Sequence, residues 1–113
     1  MLDVNNNLDE IKDFAKIDGD DEDVNKDVKR AFMTAISYTQ GAVGLRKKSF
    51  YTSLDENDTE KINMVLLMLT DHFYKNRSAT VDSNSRGTVK EPDLGITSMV
   101  LQLKAAYARY EGE

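Results

Sequence analysis

The chain has 113 residues, 40% of them hydrophobic and 31% charged, which is the length and composition of one folded domain. It contains no cysteine and one histidine, which excludes a disulfide framework and a typical zinc site. The net charge of −5 and the pI of about 4.9 argue against a sequence-specific DNA-binding protein, because such proteins carry a basic face.

A short first helix is predicted over residues 8–16. The preceding residues Asn5–Asn7 are favoured N-caps, and Asp9 and Glu10 fall in the first turn, where the helix dipole favours acids. The helical spacing is carried by Leu8, Ile11, Phe14 and Ala15. The N-terminal residues lack the basic region and apolar segment of a secretory signal, so we expect a cytoplasmic protein.

An acidic turn follows, in which Asp18, Asp20 and Glu22 occupy alternate positions, as calcium ligands do. An EF-hand loop also needs glycine at its sixth position and glutamate at its twelfth, and those positions hold Asp23 and Lys29. We therefore interpret the turn as the N-cap of the next helix and not as a metal site.

The second helix is predicted over residues 22–40, with Phe32 and Ile36 on its apolar face, and it ends at the glycines of residues 41–44. The basic run Arg46-Lys47-Lys48 follows. It has two interpretations: a solvated loop that complements the C-terminus of this helix, or a contact with a phosphate backbone or an acidic partner.

The central helix is predicted over residues 58–77, after a short extended segment that places Phe50 and Tyr51 on the core. One stripe of this helix consists of Ile62, Val65, Leu66, Leu69 and Phe73. The opposite side carries Met64, Leu67 and Met68, and a polar line holds Asn63, Thr70 and Arg77. A helix that is apolar on nearly all sides indicates a buried core helix. Its single His72 has no evident nucleophile partner, so we predict neither a catalytic residue nor a cofactor.

Residues 78–93 are rich in small polar residues and predict a flexible loop or a small hairpin. The last helix is predicted over residues 95–110, with Val100 and Leu103 on its core face. The sequence thus predicts an all-α fold: a small four-helix bundle around a central hydrophobic helix.

The second face of the last helix and the Met64, Leu67 and Met68 side of the central helix give more apolar surface than four short helices need, which suggests self-association or a partner. The candidate interface residues are Arg46, Lys47, Lys48, Met64, Leu67, Met68, Arg86, Lys90, Leu101, Lys104 and Arg109.

Four segments, in order, resemble the head–tail connector (adaptor, or head-completion) proteins of long-tailed bacteriophages. They are Leu8-Asp9-Glu10-Ile11-Lys12 with Ile17-Asp18-Gly19-Asp20-Asp21; Ala31, Ala35, Tyr38 and Gly44; His72-Phe73-Tyr74-Lys75-Asn76-Arg77; and Leu94-Gly95-Ile96-Thr97-Ser98-Met99 with Leu101-Gln102-Leu103. The chain departs from the family pattern by having Phe73 where members often carry Trp, and by lacking Pro just before Leu94.

The resemblance implies a helical structural protein of the virion, assembled in the bacterial cytoplasm and located at the capsid–tail junction. It implies a ring of about a dozen copies below the portal protein, which extends the DNA channel and receives the next head-closure or tail protein. DNA would pass without sequence-specific binding, and no enzyme activity, cofactor or membrane is implied. The alternative is a small acidic helical module for protein interaction or DNA-binding regulation.

Overall fold

The computed structural model describes residues 1–76 and 95–112. These residues form four α-helices, a short 3-10 helix and no strand, so the all-α prediction is confirmed for the described part of the chain. The helices are α1 (Leu8–Ala15), α2 (Glu22–Val43), α3 (Glu56–Lys75) and α4 (Ile96–Arg109), and the 3-10 helix Lys48–Thr52 lies between α2 and α3. The loop or hairpin predicted over residues 78–93 lies outside the described residues.

Aspartate side chains begin the two long helices. Asp21 accepts a hydrogen bond from the backbone N–H of Val24 at 2.8 Å, and Asp55 accepts one from Asp58 at 2.8 Å. Each bond satisfies a donor that the first helical turn leaves unpaired, so capping accounts for the acidic turn before α2. The predicted end of α2 at residue 40 is wrong, because Gly41 is helical and the helix continues to Val43.

Helix α3 is the centre of the fold and packs against α1, α2 and α4. Six of the nine residues predicted for the core are at most 1% exposed: Phe32, Ile62, Val65, Leu66, Leu69 and Leu103. The other three, Ile36, Phe73 and Val100, are half-buried and pack against this core.

The two described residues of the polar line of α3, Asn63 and Thr70, are partly or fully buried. Thr70 is fully buried, and its hydroxyl donates a hydrogen bond to the carbonyl of Leu66 at 2.6 Å. Asn63 is half-buried and accepts a hydrogen bond from the backbone N–H of Leu2 at 2.9 Å. A threonine can lie inside the core because its hydroxyl is satisfied one turn earlier on its own helix. The N-terminal segment therefore covers the polar side of α3 at Asn63.

The segment before α3 is a 3-10 helix and not the extended strand-like piece that the sequence predicted. Its two aromatic side chains nevertheless lie on the core, since Phe50 is 4% and Tyr51 9% exposed. The ring of Phe50 makes edge contacts with Tyr51, Tyr107 and Tyr110, with ring centroids 5.1–5.6 Å apart. These contacts fasten the end of α4 to the connection between α2 and α3.

Candidate interaction surfaces

A groove of about 440 Å³ opens where α4 lies against α2 and α3. We call it the α4 groove; its lining includes Tyr38, Gly41, Leu69, Ile96, Leu101 and Lys104. Leu101 is 60% exposed at this groove, although it is a large apolar side chain. The groove therefore combines an apolar wall with the ammonium group of Lys104.

Gly41 forms part of this groove without any reason in the packing of the described residues. Gly41 lies inside α2 and is exposed, and a Cβ atom added there would meet nothing within 4 Å. Its φ is not among the positive values of the described glycines. Glycine inside a helix costs about 0.5–1 kcal/mol relative to alanine, and nothing in the described chain offsets that cost.

A second groove, of about 640 Å³, lies between the N-terminus, the connection after α2 and the start of α3. Met1 and Leu45 line it, and they are 41% and 60% exposed. Lys48, a predicted interface residue, also lines it and is exposed. Both of these grooves in the described part of the chain thus combine exposed apolar side chains with a lysine in their lining.

Lys47 is engaged within its own chain and does not extend into solvent. Its Nζ donates to the carbonyl oxygens of Tyr107 at 3.0 Å, Ala108 at 3.4 Å and Tyr110 at 2.9 Å. Its backbone N–H donates to the Tyr107 hydroxyl at 2.7 Å, and Nζ lies 5.1 Å from the centre of that ring. We call this arrangement the C-terminal clasp.

Neither interpretation of the basic run, a solvated loop at the C-terminus of α2 or a contact with a partner, applies to Lys47. The ammonium complements the C-terminus of α4 and not that of α2, and its donors are already used by carbonyl groups. Arg46 and Lys48 remain exposed. Of the three basic residues, two are therefore accessible to a partner.

Gly44 allows the clasp to form. Its φ is +153°, and a Cβ atom there would overlap the ring of Tyr107. The carbonyl of Gly44 accepts a hydrogen bond from the Tyr51 hydroxyl at 2.6 Å. Burial and the neighbouring Tyr107 raise the pKa of Tyr51 to about 12, while the bond to Gly44 opposes this shift.

At the end of α4, the Tyr110 hydroxyl lies 2.8 Å from that of Ser49 and 3.3 Å from that of Ser53. These hydrogen bonds lower the pKa of Tyr110, and the bond to Ser49 has the larger effect. The polar ends of the aromatic cluster are thus tied to the 3-10 helix and its cap.

The remaining predicted interface residues are divided between surface and core. Met64 is 40% exposed and Met68 is half-buried, but Leu67 is only 8% exposed. Leu67 is therefore a core residue and not an interface residue. Leu101, Lys104 and Arg109 are exposed on α4, so the structure places Leu101 and Lys104 together at one groove. Arg86 and Lys90 lie outside the described residues.

One exposed aromatic residue was assigned to the wrong face by the sequence pattern. Phe14 was expected to face the core with Ile11, yet it is 39% exposed while Ile11 is 1% exposed. Glu10, one helical turn before Phe14, and Asp13, the residue before it, are also exposed. The signal in the sequence was the position of Phe14 at the edge of the apolar stripe, on an eight-residue helix with three acidic residues.

The ionised groups around the acidic turn are partly paired. Lys12 is buried at 7% exposure, and its Nζ donates to Asn25 at 2.9 Å and to Asp20 at 3.3 Å. In the described ranges, no group of three or more His, Cys, Asp or Glu side chains could hold a metal ion. The Lys12 side chain thus connects α1 to α2 and to the turn between them.

His72 lies in the last turn of α3. Its ring contacts the edge of Phe73 with centroids 5.5 Å apart, and its Nδ1 is 3.4 Å from the side-chain amide of Asn76. Its Nε2 is buried and has no hydrogen-bond partner. These contacts are those of a packed histidine at a helix end.

Comparison of the chain with protein-family models, curated proteins and solved structures finds no match. In the described part of the chain, every helix is too short or too polar to cross a lipid bilayer. The two grooves, the exposed side chains that line them and Phe14 are the candidate interaction surfaces of the described residues.

Proposed function

We propose that this protein is the subunit of a head–tail connector of a long-tailed bacteriophage. About a dozen copies would form a ring below the portal, extend the DNA channel and dock the next head-closure or tail protein. The observation that carries the proposal is the set of four family-like segments, which occur in the family's order. The proposal implies a structural role at the capsid–tail junction without enzyme activity.

Several of the family-like residues lie at structurally important positions of the fold. The first covers α1 and the turn that leads to the Asp21 cap, and the third covers the end of α3. Gly44 belongs to the second segment and is the residue that the Tyr107 ring requires. The similar residues thus lie where helices begin, end or approach one another, and such positions determine a fold.

The exposed apolar surface supports assembly. Met1, Leu45 and Leu101 are between 41% and 60% exposed; the first two line one groove and Leu101 lines the other. A ring of identical subunits joins two different surfaces of each copy, so two separate apolar regions suit this form of assembly.

The negative charge agrees with passage of DNA. A formal net charge of −5 repels the phosphate backbone, so a duplex would slide through a collar of such subunits without being held. This property separates the proposal from its rival, a DNA-binding regulator, which requires attraction to the same backbone.

The first test is the mass of the purified chain by light scattering from micromolar to millimolar concentration, with negative-stain imaging of the same samples. We expect closed rings of uniform diameter. Open filaments of variable length, or compact dimers that do not grow, would contradict the proposed ring.

The second test distinguishes the virion protein from the regulator. Quantitative mass spectrometry of purified virions should find about as many copies of the chain as a connector ring needs, near a dozen per particle. Its absence from virions, together with tight duplex binding that weakens steeply as salt rises, would establish the regulator instead.

A further inference from the structure

The acidic residues of this chain are concentrated at one end. The first 23 residues hold nine of the 20 acidic residues and two of the 15 basic residues, a formal charge of −7, so residues 24–113 carry +2. Helix α4 has no acidic residue, and its Lys104 and Arg109 are exposed. One copy therefore presents opposite charges on α1 and on α4, and such surfaces attract each other between molecules.

Helix α1 presents an apolar side chain within its acidic surface. Phe14 is 39% exposed, and two acidic residues of the same helix, Glu10 one turn before it and Asp13 directly before it, are exposed as well. We call these three residues the acidic knob. An exposed aromatic ring on a predominantly acidic helix is suited to a pocket with apolar walls and a positive charge.

The α4 groove has these properties. Its volume of about 440 Å³ is ample for an aromatic side chain, Leu101 supplies an apolar wall, and Lys104 supplies the positive charge. Gly41 leaves the α2 backbone uncovered inside the groove, since a Cβ atom there would meet no described atom within 4 Å. The bare backbone would let an inserted ring approach closely.

We propose that the acidic knob of one copy docks in the α4 groove of the next copy, with Phe14 against Gly41 and Leu101 and with Lys104 close to the carboxylates. This inference deepens the proposed ring and rests on it. The α4 groove is lined by α2, α3 and α4 and not by α1, so the contact joins two different surfaces. Such a contact propagates from copy to copy until the ring closes.

The test uses two variants, each of which removes one half of the contact. Phe14→Ala lacks the knob but keeps the groove, whereas Gly41→Leu fills the groove but keeps the knob. Leu101→Ser, at a site 60% exposed, is a second groove variant with little effect on folding. Met33→Ala is the control, because Met33 is 55% exposed on α2 and does not line the groove.

Sedimentation analysis should find wild-type assembly for Met33→Ala and at least a tenfold weaker association for each of the other variants alone. An equimolar mixture of Phe14→Ala and Gly41→Leu should form one-to-one dimers and nothing larger, because one junction is intact and growth is blocked at both ends. Helicity and melting temperature would verify that each variant is folded.

The outcomes separate the two proposals. If wild type forms rings and both variants assemble as wild type does, or if their mixture stays monomeric, this docking contact is wrong and the ring proposal stands. If wild type forms no ring at any concentration, the ring proposal fails, and this inference fails with it.

Discussion

Replacement of Lys47 by methionine removes the ammonium group of the C-terminal clasp while keeping most of the apolar length of the side chain. In the native structure, this group donates to the carbonyls of Tyr107 and Tyr110 at 3.0 and 2.9 Å, and it lies over the Tyr107 ring. The side chain of Lys47 is half-buried, so water replaces these contacts incompletely. The variant therefore removes the side-chain donor of these carbonyls, although that of Tyr107 still accepts a hydrogen bond from the backbone N–H of Tyr110 at 3.1 Å.

The size of the effect follows from these contacts. A partly buried cation at a helix C-terminus contributes up to about 2 kcal/mol, and one hydrogen bond to a charged group contributes about 1.5–3 kcal/mol. The two terms overlap because they describe the same carbonyl groups, so we expect a loss of about 2–3 kcal/mol. For a chain of this length, that loss lowers the melting temperature by roughly 8–13 °C.

The measurement is urea unfolding followed by circular dichroism, with the free energy of unfolding compared between variants. Lys48→Met is the matched control, because it makes the same change of charge at the next residue, which is exposed. We expect that control to lie within about 0.5 kcal/mol of wild type. If Lys47→Met were no less stable than Lys48→Met, the clasp would contribute nothing and the explanation of the basic run would be wrong.

Further predictions concern the core and the backbone. Leu66→Asp should unfold the chain, because a charge at a site with no exposure costs several kcal/mol, whereas Met64→Asp, at a site 40% exposed, should keep its helicity by circular dichroism. Gly44→Ala should lower the free energy of unfolding by about 1–3 kcal/mol because its Cβ displaces a packed ring. Gly41→Ala should raise it by about 0.5–1 kcal/mol, since the added methyl group meets nothing; equal signs in the two alanine variants would contradict this reasoning. The fold favours the neutral form of Tyr51, whose pKa rises from 10.0 to about 12. The stability that this neutral hydroxyl contributes is therefore complete below pH 10 and is lost as the pH rises to about 12. In denaturant unfolding measured between pH 10 and pH 12, Tyr51→Phe should therefore lose less stability than wild type. The Tyr51 hydroxyl can change the free energy of unfolding of wild type by at most about 1.4 kcal/mol per pH unit.

Local sequence signals predicted the features of the fold that depend on neighbouring residues. The spacing of Ile62, Val65, Leu66 and Leu69 identified the buried stripe of α3, because helical periodicity places these residues on one face. The acidic turn identified the cap of α2 for the same reason, since Asp21 reaches a donor three residues away.

Contacts between distant residues could not be predicted in this way. The clasp joins Lys47 to Tyr107, 60 residues apart, and no local pattern indicates that partner. The burial of Leu67 likewise depends on the surrounding elements and not on the helix itself. Of the α4 groove, the sequence indicated Leu101 and Lys104 but not Gly41, because a glycine near the end of a helix normally marks that end.

The clasp and the α4 groove depend on the same helix. Helix α4 has two buried residues, Ile96 and Leu103, and the aromatic and lysine contacts at its C-terminus add to this small buried face. Leu101 and Lys104 lie between that attachment and Ile96, and their positions relative to Gly41 follow from how α4 is held. Lys47→Met should therefore weaken association between copies as well as stability, although Lys47 touches neither the acidic knob nor the lining of the groove. An association constant unchanged in folded Lys47→Met would show that the groove keeps its shape without the clasp.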